Sequence, residues 1–379
     1  MKKYRKSKSK RIIRNRLIAL ILLFMLGFVC YKVISVMHDN NQLNLRAGLN
    51  STTKASNTDT GTKNINPAAT EQQPKTVEKK VITISAAGDC TLGSDESFGT
   101  VGTFDAEFIN QNRNYGYFLG GVKPVFEQDD LTIVNLETTF TTSVQKAEKT
   151  FRFKGDPSYV NILKEGSVEA VNVANNHIYD YLDKGYSDTL KYLSEAGIGY
   201  FGLGNKYIAT VKGIKIGMLG YNGWDESESF KQQLRDDIQN LKKECSLVIV
   251  SFHWGNENEY YPNSTQKNLA HFSVEQGADL ILGHHPHVVQ GIEKYNNKYI
   301  VYSLGNFCFG GNNNPSDKDT FIFQQTFTFE DGLLTEATEK NIIPCSISSV
   351  SYRNDYRPTI LSGDEKDRVM NKINSLSVF

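Results

Sequence analysis

Beyond residue 80 the chain alternates short apolar runs with small polar clusters. VITISAAGD (81–89), LTIVNLE, VEAVNVANNH, IKIGMLGYN, LVIVSFHWG, ADLILGHHPH and YIVYSLGNF are β-branched or otherwise apolar stretches, each ending in Gly, Asn, Asp, Glu or His. Continuous apolar runs bounded by turn residues predict buried strands. Segments with helical spacing lie between some of them: 184–196 with Gly197 as a stop, 230–244, and a stretch opening at Ser264 and ending at Gly277. Strand, helix and strand in repetition predict a layered α/β domain with a largely parallel component. Residues 321–329 (FIFQQTFTF), followed by Glu330-Asp331-Gly332 and LLTEATEKNIIP, predict a hairpin on a sheet edge. At 362–377 a Ser start, early acids, and Val369, Ile373 and Leu376 at helical spacing predict a closing helix packed on the domain.

The pattern ahead of residue 81 is different. Residues 17–37, LIALILLFMLGFVCYKVISVM, form an apolar run that measures roughly 31 Å as a helix, at about 1.5 Å per residue, enough to cross a bilayer core. Its one charge, Lys32, lies near the far end, where a long side chain reaches the headgroups. The first sixteen positions hold nine of the 42 basic residues and no acid, leaving 33 basic against 42 acidic residues in the remainder. The positive-inside rule then predicts a cytoplasmic N-terminus and an extracellular main domain at the cell membrane. A cleaved signal peptide is the competing reading, against which stand the length of the run and the lack of a small-x-small cleavage site. Residues 38–80, rich in Asn, Thr, Ser, Lys and Gln and without an aromatic, predict a disordered tether spanning roughly 35 Å. The expected organisation is therefore a basic cytoplasmic segment (1–16), a transmembrane anchor (17–37), the tether (38–80), the α/β domain (81–350) and a C-terminal extension with its closing helix (351–379).

With 379 residues, 39% of them hydrophobic, and balanced charge, the chain is neither a disulfide mini-protein, a collagen-like fibre, a wholly disordered chain nor a multi-span membrane protein. Because the basic run abuts an apolar span, a membrane is its expected partner and nucleic acid is not. Cys30 falls in the predicted anchor. Cys90, Cys245, Cys308 and Cys345 form no close-spaced framework, and read as buried small hydrophobes, although a bridge is permitted outside the cell.

The chemistry sits where the strands end. Asp89, Glu137, Asn176 with His177, His253 with Glu257, and His285 with His287 each follow an apolar strand, so the C-terminal ends of several strands bring them toward one crevice. Five of the seven histidines, His177, His253, His284, His285 and His287, lie at such ends. Imidazoles mixed with carboxylates and an amide suit Zn, Mn or Fe, where Mg alone favours oxygen ligands. One or two divalent metal ions are expected. Each residue has a plainer reading: Asp89 caps a turn, His177 opens a helix, Glu137 is a solvated strand end. Three imidazoles within GHHPH have little structural reason to exist. Two divalent cations against the carboxylates Asp89 and Glu137 leave an electropositive centre that attracts an anion, a phosphate ester or a carboxylate. Hydrolysis is the reaction such a centre does most readily, with His177 placed to donate a proton to the leaving oxygen.

GDCTLG, VNLETTFT, FRFKGDP, VANNHIYDY, SFHWGNENEYYP, ILGHHPHVVQGIE and YSLGNF, in this order over residues 81–312, together resemble the CapA family of capsule and poly-gamma-glutamate synthesis proteins. That family is similar to the calcineurin-like metallophosphoesterases, which implies a sandwich of two mixed β-sheets flanked by helices. The resemblance implies Asp89, Glu137, Asn176, His253, His285 and His287 as metal ligands, with Glu137 in the bridging position and His177 as their catalytic neighbour. Two departures stand out: Thr91 falls where the superfamily's D-x-H has its His, and Glu137 replaces a bridging Asp. The resemblance makes Arg152 and Lys154 candidate contacts for an anionic polymer, and on a strand both would face one side; two solvated charges are the plain alternative. Glu257 and Asn306 fall at the rim or behind the ligands.

The expectation is thus a single-pass membrane protein acting in synthesis, export or anchoring of poly-gamma-glutamate or a similar anionic polymer, with other subunits of a synthase complex as candidate partners. The alternatives are a surface metal-dependent phosphoesterase and a non-catalytic polymer-binding module.

Overall fold

The computed structural model describes residues 77–378. The expected basic segment, the anchor at 17–37 and the tether up to residue 76 lie outside the described residues. Among the described residues, no helix is long and apolar enough to cross a membrane.

All seven apolar runs become strands, and they divide between two mixed sheets. The first is ordered Thr359–Ile360, Leu333–Ser346, Asp319–Glu330, Lys79–Thr91, Leu131–Leu136, Ala170–Asn172 and Gly199–Phe201, with Asn306–Phe309 also paired to Lys79–Thr91. The second is ordered Ile292–Tyr295, Lys298–Val301, Leu280–His284, Leu247–Trp254, Ile214–Gly223 and Tyr207–Val211. In the first sheet Lys79–Thr91 pairs antiparallel toward the hairpin and the strands from it to Gly199–Phe201 pair in parallel, whereas in the second a parallel centre has an antiparallel strand on each flank. The run YIVYSLGNF feeds both sheets: Lys298–Val301 joins the second, and Asn306–Phe309 crosses to the first. A small sheet of Ser94–Asp95, Phe153–Gly155 and Thr139–Phe140 stands apart from these two.

Side-chain alternation explains the layers. Leu247 and Ile249 point inward to meet Ile84, Ile133 and Ala170 of the first sheet, whereas Val248 and Val250 point outward onto Leu234, Ile238 and Leu269 of the covering helices. The outer face of the first sheet packs Val134, Leu136 and Val171 against Phe104, Phe118 and Leu163. Helix, sheet, sheet and helix follow one another, and each fully buried Leu, Ile or Phe contributes about 1.5–3 kcal/mol.

The three helices expected between strands form as Leu182–Ala196, Glu228–Lys242 and Ser264–Glu275. Gly197 ends the first at φ 76°, a left-handed position that suits glycine. Asn263 and Gln266 make a reciprocal capping box at the start of the third. The closing helix, Gly363–Leu376, packs Val369 and Ile373 into the inter-sheet core.

One expectation is corrected. The hairpin of Asp319–Glu330 and Leu333–Ser346 forms, but its first strand lies inside the sheet, between Leu333–Ser346 and Lys79–Thr91. Its inward phenylalanines, Phe321, Phe323, Phe327 and Phe329, are core residues, which an edge strand could not bury as well. The first strand also begins at Lys79, two residues before the expected domain start.

Candidate metal centre

Where the apolar interior ends, the two sheets face each other through polar residues in register. Asn306, Asp89, Asn135 and Asn172 are partners across four strands of the first sheet. Asn222, His253 and His284 are partners across three strands of the second. Asp89 reaches this row through a register shift between Ala86 and Asp89, a bulge that re-aims the side chain inward. Gly88 allows it, because a Cβ there would meet the Gly305 carbonyl oxygen at 1.9 Å.

The carboxylates and imidazoles meet above these rows. Asp89 is fully buried; its Oδ1 accepts from Asn135 Nδ2 at 2.8 Å and its Oδ2 from the His285 backbone N–H at 3.2 Å. His287 Nδ1 lies 3.3 Å from Asp89 Oδ2 and His284 Nδ1 lies 3.4 Å from Asp89 Oδ1. Glu137 is also fully buried, and neither of its oxygens has a hydrogen-bond partner. Around its Oε1 stand His253 Nε2 at 3.4 Å, His287 Nε2 at 3.8 Å and His177 Nε2 at 4.0 Å. His253 Nε2 is in turn 2.8 Å from the Asn176 amide oxygen.

Two sets of donors are compact enough to hold an ion: Asp89, Glu137 and His253, and Glu137, His285 and His287. Glu137 belongs to both. Donor separations near 3.4 Å are long for hydrogen bonds but match two ligands each about 2.0–2.1 Å from one tetrahedral ion. The orphaned oxygens of Glu137 and the unpartnered Nδ1 of His285 point to the same conclusion, since a buried carboxylate without partners is costly. The donor set fits a divalent metal. Backbone strain concentrates here as well: His285 has φ 96° and His287 has φ 58°, conformations that non-glycine residues adopt at a cost of about 1–3 kcal/mol each.

The electrostatics follow from burial and crowding. Burial pushes the Glu137 carboxyl up to about 7, with Asp89 adding to the effect and the imidazoles opposing it. Burial would also raise Asp89, but His284 and His287 outweigh it and hold that carboxyl well below the usual range. Burial and the neighbouring imidazoles His253 and His287 bring His285 down to about 2. Burial takes His253 well below its ordinary value despite the pull of Asp89. At His287 burial is overcome by Glu137 and Asp89, which raise it to about 9. His253 and His285 are thus held neutral, the form that binds a metal, whereas His287 would have to give up a proton to an incoming cation.

Asp180, Lys149 and Trp224 support the centre without having been singled out in the sequence. His177 Nδ1 donates to Asp180 Oδ2 at 2.6 Å, and Asp180 also accepts from the Phe153 N–H at 2.6 Å and Lys149 Nζ at 2.7 Å. Lys149 donates as well to the Asn176 carbonyl at 2.9 Å, so one lysine ties the Asn176–His177 turn to Asp180. Asn306, expected at the rim or behind the ligands, accepts from His287 Nδ1 at 2.9 Å and donates to the His287 carbonyl at 3.1 Å. That bond fixes the ring so that Nε2 faces Glu137. Trp224, half exposed, packs edge-on against His285 at 4.7 Å.

A cavity of about 450 Å³ opens beside the centre, with His177, His287, Glu257 and Asn306 in its wall. Neither Arg152 nor Lys154 lines it. Lys154 donates to Glu96 at 2.9 Å and lies 4.7 Å over the Tyr181 ring. Arg152 precedes the short strand Phe153–Gly155, and its backbone N–H is held by Asp95. The ring between them faces the site instead: Phe153 lies 4.2 Å from His177. Cys90, Cys245, Cys308 and Cys345 are buried free thiols.

Fold and site together define an α/β protein with two mixed sheets and a buried carboxylate–imidazole centre able to hold divalent metal. The chain belongs to the bacterial capsule synthesis protein PGA_cap family, whose model matches residues 83–311. It is 31% identical over 257 residues to the PGA biosynthesis protein CapA of Bacillus subtilis, covering 62% of this chain and 65% of that protein. It is 31% identical over 261 residues to the capsule biosynthesis protein CapA of Bacillus anthracis, covering 61% of each. It is also 28% identical over 207 residues to a probable polyglutamine synthesis accessory protein of Mycobacterium tuberculosis, covering 46% of this chain and 54% of that one. The match thus spans less than two thirds of each of these relatives. Among solved structures, the TT1561 protein of Thermus thermophilus is similar at 11% identity and a TM-score of 0.36, covering 69% of this chain and 99% of that one.

Proposed function

We propose that this is a membrane-anchored, extracellular protein of capsule synthesis whose metal-dependent, hydrolase-like centre acts on poly-gamma-glutamate or a similar anionic polymer during its synthesis, export or anchoring. The single observation that carries the hydrolytic reading is Glu137, a fully buried carboxylate with no partner, placed between two compact donor sets. The polymer is supported by the names of the relatives, and the anchor by the apolar run at 17–37 behind nine basic residues.

Asp89, Glu137, Asn176, His253, His285 and His287 would hold one or two divalent ions, in a fold of metallophosphoesterase type. A bound divalent ion supplies a water of lowered pKa and polarises a substrate oxygen. The chain's own groups do the rest. Asp180 fixes the His177 ring through Nδ1–H, so Nε2 faces the centre; as a water oxygen bonds to the substrate and the bond to the leaving atom breaks, Nε2 would give its proton to the leaving atom and be reprotonated by the proton the water loses. Lys149 holds Asp180 and the Asn176 carbonyl in place. Asn306 keeps His287 in one tautomer. Among the described residues, no lysine or arginine lines the cavity, so attraction for an anion rests on the ions themselves.

The test is elemental analysis of the purified full chain beside Asp89→Ala and His285→Ala. The reading expects bound divalent metal in the parent and its loss in both variants. Unchanged metal in both would remove the centre. A centre that binds metal but cleaves neither polymer nor phosphoester would leave the protein a binding module.

A further inference from the structure

The cavity beside the metal centre has the wrong chemistry for a polyanion. Its wall carries four phenylalanines, Phe98, Phe151, Phe153 and Phe309. Phe98 and Phe151 lie 6.1 Å apart, and Phe151 is 49% exposed, so an aromatic face is open to solvent where nothing in the fold requires one. Phe153 backs His177 at 4.2 Å and Phe309 backs His287 at 5.0 Å, which carries the aromatic wall to the reacting groups. Away from the two histidines, the polar part of the wall is made mostly of amides and carboxylates, among them Asn258, Asn312, Asn313, Glu257 and Asp317.

Charge decides what this surface accepts. A groove that tracks a chain of carboxylates needs lysine or arginine along it, and among the described residues this wall has none. Two nearby lysines are engaged elsewhere: Lys146 and Lys154 both pair with Glu96, at 2.7 and 2.9 Å. Lys372 pairs with Asp317 at 2.7 Å, which neutralises one carboxylate of the wall without presenting a cation to the cavity. A row of glutamates extending from the centre would meet Glu257 with no lysine or arginine of the wall to offset it.

We propose that this cavity is a binding site for an uncharged glycan, whose sugar ring lies on the Phe98–Phe151 face while its hydroxyls bond the amides and Glu257. Open aromatic faces match the C–H face of a sugar, and planar amides and carboxylates match its vicinal hydroxyls, which both donate and accept. A volume of about 450 Å³ falls in the range of small-ligand sites, roughly 300–1,000 Å³. The inference goes beyond the proposed function and rests on the cavity, not on turnover: the centre would handle one anionic group, and the cavity a neutral sugar next to it.

Titration calorimetry of the full chain in detergent with a β-linked tetramer of N-acetylglucosamine tests this, with metal content measured on the same samples. Saturable binding is expected, weakened at least tenfold in Phe151→Ala and in Phe98→Ala. Tyr179→Ala removes an aromatic that is 42% exposed and outside the cavity, and should change affinity less than twofold. Phe151 is half exposed, so its truncation leaves the core intact, and a thermal melt verifies folding. No binding of the tetramer by metal-replete parent protein would overturn the proposal, as would binding that both phenylalanine variants retain. A glutamate oligomer or an apolar peptide that bound with the same phenylalanine dependence while the sugar did not would overturn it too. Loss of metal with sugar binding intact would sink the hydrolytic reading and leave this one standing.

Discussion

Asp180 and Glu137 are two fully buried carboxylates on either side of His177, and their surroundings are opposite. Asp180 is saturated: the Phe153 N–H, Lys149 Nζ and His177 Nδ1 all donate to it within 2.7 Å. Glu137 has no hydrogen bond to either oxygen, and the nearest imidazole nitrogen is His253 Nε2 at 3.4 Å. The first carboxylate is complete within the protein and serves to orient a ring. The second is stable as an anion only when something beyond the polypeptide joins it, and burial accordingly pushes its carboxyl up to about 7. A buried acid with partners is a part of the scaffold; one without partners is a socket.

Removing each carboxylate should therefore have opposite consequences. Asp180→Ala leaves a lysine and a backbone N–H without their acceptor, and should destabilise the protein by about 3–5 kcal/mol in chemical denaturation while bound metal stays at the parent level. Loss of metal on that substitution would erase the distinction. Glu137→Gln should do the reverse. In metal-free protein it removes an unpartnered buried anion and should raise stability by about 1–3 kcal/mol, while abolishing stabilisation by added divalent metal.

The pH profile sharpens this. The Glu137 carboxyl is raised in the folded state, so the unfolded chain releases its proton first as pH rises. Metal-free parent protein should lose stability between about pH 4.3, the unperturbed glutamate value, and about 7, and Glu137→Gln should flatten that decline. A third carboxylate supplies the smaller, contrasting effect. Asp319 accepts two bonds from Arg368 and one from Lys372, at 2.7 to 2.9 Å, and thereby clamps the closing helix. Burial would raise its carboxyl, but Arg368 and Lys372 prevail and lower it. Its contribution is present above the unperturbed value of about 3.9 and fades as pH falls below it. Asp319→Asn should flatten the acid limb of the stability curve and leave the neutral region nearly unchanged.

The residues of the centre were largely legible because strand ends announce themselves. Asp89, Glu137, His253 and the GHHPH segment each terminate an apolar run, and the parallel strands deliver them to one end of the sandwich. The supporting residues were not. Lys149 lies in a loop without periodicity and meets Asp180 from 31 positions away, a contact that no local pattern encodes. Asn135 and Asn172 were within reach, since an Asn inside a buried strand needs a partner, and here they bond each other at 2.9 Å. Arg152 and Lys154 illustrate the opposite limit. Their spacing was sound for a strand, but only Phe153–Gly155 is extended, and Glu96 holds the lysine. The hairpin at Asp319–Glu330 was legible as a hairpin, whereas its interior place depends on pairing with a strand far earlier in the chain, Lys79–Thr91.

Anomalous diffraction at the manganese edge, from crystals of the chain grown with Mn²⁺, would test the Glu137 socket directly. The account predicts density within coordinating distance of a Glu137 oxygen, shared with Asp89 and His253 or with His285 and His287. Well-ordered crystals with both donor sets empty, and Glu137 paired to protein groups alone, would contradict it.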